Sequence, residues 1–116
     1  MTTADHLLIV QSIEGVTIQI DRNGAGSITT PAVRGSTAGE IVGEDGSQTL
    51  YATRDWLVTV AQMGELGTPK RGDTITDLTN NRTYTVGHPD PTKRIVSTHG
   101  NDGTCWRIHS IEEGTL

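Results

Sequence analysis

Four histidines, a single cysteine and fourteen Asp and Glu are the residues of this 116-residue chain whose types invite chemistry. His88 and Asp90 flank Pro89, His99 lies near Asp102, and Cys105 and His109 follow. These types suit zinc, yet no pair has the close two-plus-two spacing of a structural site, and polar loops explain His88 and His99 equally well. A nucleophilic cysteine needs a base within reach and an electropositive setting. Cys105 has His109 four residues on, which along a strand is about 13 Å. Such a pair shares a face without touching, and a small half-buried residue beside Trp106 is the simpler reading of Cys105. Ser12, Ser36 and Ser47 stand in no nucleophile-elbow pattern. Gly24-Ala25-Gly26 is too short for a dinucleotide fingerprint and no helical pattern follows it. Arg71-Gly72-Asp73 spells a tripeptide that cell-adhesion receptors read, but a structural turn accounts for it: Gly supplies a permissive backbone and Asp caps the turn. On that reading Gly72→Val is destabilising and Asp73→Asn mild. No catalytic, metal or cofactor-binding set remains. The sequence predicts a protein that is not an enzyme and takes no cofactor.

The elements that would position these residues are mostly strands. Asp5 to Glu14 puts Leu7, Leu8, Val10 and Ile13 on a helical stripe, with Thr3 or Asp5 as cap and Gly15 as stop, although Leu-Leu-Ile-Val also suits a strand. Val16 to Ile20 alternates strictly, and Asn23-Gly24 after it is a hairpin signal. Residues 22–47 form the most loop-like stretch, an extended loop or hairpin holding Gly24, Gly26, Gly35, Gly39, Gly43 and Gly46. Its apolar residues Ile28, Val33, Ile41 and Val42 keep no lasting period, so they bury too little area alone to offset the entropy of ordering. They are candidates for contact between subunits. Gln48–Thr53 and Trp56–Val60 read as strand material interrupted by Arg54-Asp55, and Val60 to Leu66 as a helical turn closed by Gly67. Thr74 to Leu78 and Arg82 to Val86 form a hairpin around Asn80-Asn81. Ile95-Val96 is a short strand inside a polar stretch, and Thr104 to Ile111 closes the domain. The expected core is Ile18, Ile20, Trp56, Val58, Ile75, Tyr84, Val86, Trp106 and Ile108. One domain over 1–116 is expected: mainly β, a small antiparallel barrel or sandwich with one or two short helices.

Composition narrows the function further. Hydrophobic residues make up 33% and aromatics 3%, so the core is thin and gains from neighbours. The net charge is −5, and the tightest basic groups are the pairs Lys70-Arg71 and Lys93-Arg94. Few phosphates can be neutralised at once, which predicts weak binding to duplex DNA. No apolar run approaches the ~18 residues of a membrane helix, and no secretory signal precedes the domain. One cysteine excludes an internal disulfide, and synthesis inside the cell is expected.

From Tyr51 to Gly114 the order of segments is distinctive. Thr53-Arg54-Asp55-Trp56-Leu57-Val58 is followed by a short apolar turn and Pro69-Lys70-Arg71-Gly72-Asp73-Thr74-Ile75. Tyr84-Thr85-Val86, a polar excursion, Trp106-Arg107-Ile108-His109 and an acidic end complete it. This resembles the head–tail joining proteins of tailed bacteriophages, also called head-closure, stopper or neck proteins. The resemblance implies a small β barrel or sandwich and a structural virion role. It implies a homo-oligomeric ring between portal or adaptor proteins and the tail terminator or tail tube, enclosing DNA without gripping it. Location in the virion neck, after assembly in the host cytoplasm, follows with it. A tail terminator or tail-completion protein shares this size and β content. A small β-barrel oligonucleotide-binding module is the alternative of another class, though it calls for stacking aromatics among basic residues.

Overall fold

The structure of the protein, a computed structural model, describes residues 2–113; Met1 and residues 114–116, among them Gly114 at the end of the resembling segment, lie outside the described residues. Helix α1 (Thr3–Glu14) leads into β1 (Val16–Arg22), β2 (Gly26–Val42) and β3 (Gln48–Thr59). A 3-10 turn over Ala61–Leu66 precedes β4 (Thr74–Asp77), β5 (Arg82–Val86), β6 (Val96–Thr98) and β7 (Cys105–Glu112). Every pairing is antiparallel, and the order β1-β2-β3-β7-β5-β4 returns to β1 as a closed six-stranded barrel. Strand β7 makes the closure. Its Cys105–Ser110 stretch pairs with β3 on one edge, while the other edge pairs first with β6 and then with β5. Closing the sheet on itself removes free edges from the barrel wall, leaving β6 and the extensions of β2 and β3 with an open edge.

Alternation along the strands sends Ile18, Ile20, Trp56, Val58, Ile75, Tyr84, Val86 and Ile108 inward, each almost fully buried. Trp106 differs from the expectation: it is half-buried and packs against the core from its margin. Ala32, Met63 and Leu66 join the core, the last two carried in by the 3-10 turn. The Trp56 ring meets Tyr84 edge-on at 5.2 Å between centroids, and its Nε1 donates to Ser110 Oγ at 2.9 Å. A buried indole thus has both the T-shaped aromatic partner and the acceptor that it needs. Strand β3 runs unbroken through Arg54-Asp55, because Asp55 finds partners on both neighbouring strands.

The leading segment is the helix, not the strand. Its cap is Thr2, rather than Thr3 or Asp5: Thr2 Oγ1 accepts from Asp5 N at 3.1 Å, and the Asp5 carboxylate accepts from Thr2 N at 3.0 Å. This capping box satisfies two otherwise orphaned donors. The helix is tied down again where Thr3 N donates to Asp102 and Ala4 N to Thr104 Oγ1. Of the expected Leu7–Leu8–Val10–Ile13 stripe, Leu7 and Val10 pack, joined by the buried Gln11 and by Ala4, whereas Leu8 and Ile13 do not. Gln11 and Gln62 exchange reciprocal amide bonds of 3.0 and 2.8 Å, fixing α1 to the 3-10 turn. Leu8, Ile9 and Ile13 face outward.

Candidate functional site

Three buried aspartates, each held by an arginine, organise the polar part of the molecule. Asp73 is 3% exposed and takes a two-pronged bond from Arg22, Nε to Oδ1 at 2.9 Å and Nη2 to Oδ2 at 2.8 Å. Arg22 also donates to the carbonyls of Leu66 and Thr68, and its bond to Asp73 raises its pKa. The adjoining turn is Arg71-Gly72-Asp73: Gly72 has φ +93°, a left-handed angle that glycine adopts freely. Asp73 accepts from Lys70 N within that turn and then receives Arg22 from β1. Its role exceeds the turn cap read from the sequence, and Asp73→Asn is expected to cost more than that reading implied. At the other end of β4, Asp77 is fully buried between Arg34 of β2 and Thr79. Burial pushes the Asp77 carboxyl up, but the Thr79 hydroxyl and the Arg34 guanidinium outweigh it and leave it lowered.

The third aspartate, Asp55, gathers the residues with most catalytic appearance. His109 Nδ1 lies 2.8 Å from Asp55 Oδ1, Thr53 Oγ1 donates to the same oxygen at 2.7 Å, and Thr37 Oγ1 donates to Oδ2. Arg107 Nε stands 3.3 Å from Oδ2. The His88 ring is edge-on to His109 at 5.6 Å and to Tyr51 at 4.9 Å, and its Nδ1 accepts from Asp90 N. Burial, then the proximity of His109, holds His88 below the ordinary imidazole value. A His–Asp pair needs a nucleophile to become catalytic machinery. Cys105 packs instead with Leu7 and Val33, and burial pushes its thiol pKa up, away from the reactive thiolate. His99 and Asp102 serve the loop before β7, where Asp102, bonded by Thr3 N and then the Thr104 hydroxyl, is lowered to about 2. Among the described residues, no three His, Cys, Asp or Glu converge as metal ligands. The Asp55 cluster joins β2, β3 and β7 at one level of the barrel wall.

Beyond that level β2 and β3 continue without β7. Pairs from Thr37↔Thr53 to Val42↔Gln48 form a two-stranded arm that overhangs the barrel. Residues 22–47 are thus largely strand, with 17 consecutive residues in β2. The sequence hid this because Ala32 and Val33 are both buried, Ala32 in the barrel core and Val33 under α1, which breaks the alternation at mid-strand. Two glycines leave room for neighbours: a Cβ on Gly35 would meet Arg107 Nη2 at 2.9 Å, and one on Gly39 would meet the Tyr51 hydroxyl at 2.6 Å. Of the four candidate contact residues, Ile28 packs partly against the core and Val33 is buried, so both are used within the domain. Ile41 and Val42 lie on the arm, and Val42 is 61% exposed. Leu50, which sequence reasoning passed over, stands on β3 opposite Glu40 and is 81% exposed. The arm carries Glu40, Glu44 and Asp45 and no Lys or Arg between residues 35 and 53. At its base an open cleft of about 250 Å³ is lined by Ser36, Ala52, Thr53, Arg54, Arg82, Tyr84 and Glu112.

No curated protein matches the chain. A family model described as phage head-tail joining protein matches residues 7–115, nearly the whole sequence, including the barrel, the arm and the Arg71-Gly72-Asp73 turn. Coverage of that extent identifies the chain as a member of the phage head-tail joining protein family.

Proposed function

We propose that this protein is a ring-forming structural component of the phage neck, placed between portal or adaptor proteins and the tail. The completed ring closes the DNA-filled head and offers the surface on which the tail terminator or tail tube docks. The observation that carries this reading is the family match over residues 7–115, joined to a barrel whose overhanging arm exposes Val42 and Leu50. Side chains of that size, left uncovered on a two-stranded ribbon, suit contact with a neighbouring subunit. The acidic arm and the net charge of −5 favour a channel that encloses DNA without gripping phosphates. An oligonucleotide-binding module fits less well, because Trp56 and Tyr84 are buried and Trp106 beside Arg94 offers a single half-buried ring rather than a row of stacking positions. Assembly takes place in the host cytoplasm on this reading, and no enzymatic step is involved. No described helix is long and apolar enough to cross a membrane.

The test is complementation of phage lacking this protein. Shortening the arm from residues 38–52 to a tight turn should leave a folded barrel but yield filled heads that leak DNA or fail to join tails. Normal virions from that variant would remove the arm from the proposal, and rings absent from electron micrographs of the native neck would remove the ring.

A further inference from the structure

Besides the arm, two further surfaces of the domain are left uncovered by its own packing. On α1, Leu8, Ile9 and Ile13 are 47%, 48% and 80% exposed. The helix ends in Glu14 and has no basic residue in its last turn. A helix C-terminus carries partial negative charge and favours a cation; Glu14 adds to that charge and pairs with no Lys or Arg among the described residues. The second surface is an open cleft of about 290 Å³ lined by Arg94, Val96, Ser97, Thr98 and Trp106. Trp106 and Val96 are half-buried there, and the exposed Arg94 pairs with no carboxylate among the described residues.

The two surfaces lie on opposite sides of β7. Cys105 points toward α1, where it packs with Leu7 and Val33, whereas Trp106 points the other way, against the barrel core. A patch and its complement so placed cannot meet within one molecule, and between molecules they join head to tail. We propose that the C-terminal end of α1 docks in the Arg94–Trp106 cleft of a second copy of this chain. Ile9 and Ile13 cover Trp106 and Val96, while Glu14 and the helix terminus receive the Arg94 guanidinium. The choice of occupant follows from charge: an acidic helix end without a cation faces a cation without a carboxylate. Arg94 and its neighbour Lys93 make a basic pair, too few charges to hold a polyanion. This contact rests on the ring reading above and adds to the arm a second contact that repeats around the ring.

Sedimentation of the full chain over a concentration series tests the contact with Arg94→Glu, Glu14→Arg and the two combined, each checked for native circular dichroism. Each single change should weaken association at least about tenfold, and the combination should restore most of it, as for an interfacial charge pair. Assembly that ignores all three variants would overturn this contact and leave the ring reading standing. Should the native chain sediment as a monomer, Ile13→Cys combined with Thr98→Cys decides under mild oxidation. A ladder of linked multimers, absent from each single variant, supports the contact; no ladder overturns it together with ring formation by the chain alone.

Discussion

Replacing Asp73 gives the sharpest test of how this domain is held together. Its carboxylate receives two bonds from Arg22 and one from Lys70 N, with the Asp73 side chain 3% and the Arg22 side chain 13% exposed. Asp73→Ala would leave a guanidinium enclosed without a counter-charge, and breaking one side of such a buried pair costs about 3–5 kcal/mol. Asp73→Asn keeps one acceptor oxygen and the shape but loses the charge. Its cost should be about 2 kcal/mol, within the range for hydrogen bonds to charged groups. For a domain of this size, 1 kcal/mol is about 4 °C in Tm, so the two variants should melt about 8 °C and 12–20 °C below the native protein. Thermal and urea unfolding followed by circular dichroism measure both. A double-mutant cycle with Arg22→Met should recover part of the loss, since the stranded charge is then gone. An Asp73→Asn variant within about 0.5 kcal/mol of native, the ordinary range for surface changes, would refute the reasoning.

Trp56→Ala should cost about 3–5 kcal/mol, as full truncation of a buried aromatic does, and Trp106→Ala clearly less; equal losses in urea unfolding would contradict the burial difference. Gly72→Val should lose about 1–3 kcal/mol from backbone strain alone, because nothing lies within 4 Å of the added Cβ, and Gly72→Ala should lose a similar amount. His88 is held below the ordinary imidazole pKa, so the folded state binds fewer protons than the unfolded one. Its contribution to stability is complete above about pH 6.5 and is lost as pH falls toward the lower folded value. His88→Asn should flatten the stability curve between about pH 7 and 5, and an unchanged slope would count against that origin.

Much of the barrel was legible because its strands alternate. Ile18 and Ile20, Tyr84 and Val86, and Trp56 and Val58 each mark one face, and a period of two states which face is inside. The arm was not legible, since Ala32 and Val33 face different partners and the phase of the pattern shifts between them. Helix α1 was ambiguous for a related reason: its buried face contains Gln11, whose burial is tolerable only because Gln62 lies across from it. Asp55, Asp73 and Asp77 show the same limit. A sequence reveals a carboxylate, but the arginine that makes its burial possible comes from a strand 43 to 52 residues away. The exposed apolar residues of the arm were half visible. Val42 stood out as apolar among glycines, whereas Leu50 was hidden in a stretch that reads as ordinary strand.

The double duty of β7 also governs how the chain matures during synthesis. Strands β1 to β5 can be complete on the ribosome and still have no closed form, because β3 and β5 each wait for the same late segment. Until then the flanks of the sheet, including Trp56 beside its future partner Ile108, remain open to solvent and to other nascent chains. Folding of this domain is therefore timed to translation of its last strand. A chain stalled before Cys105 keeps both flanks exposed, the condition under which partly folded chains aggregate.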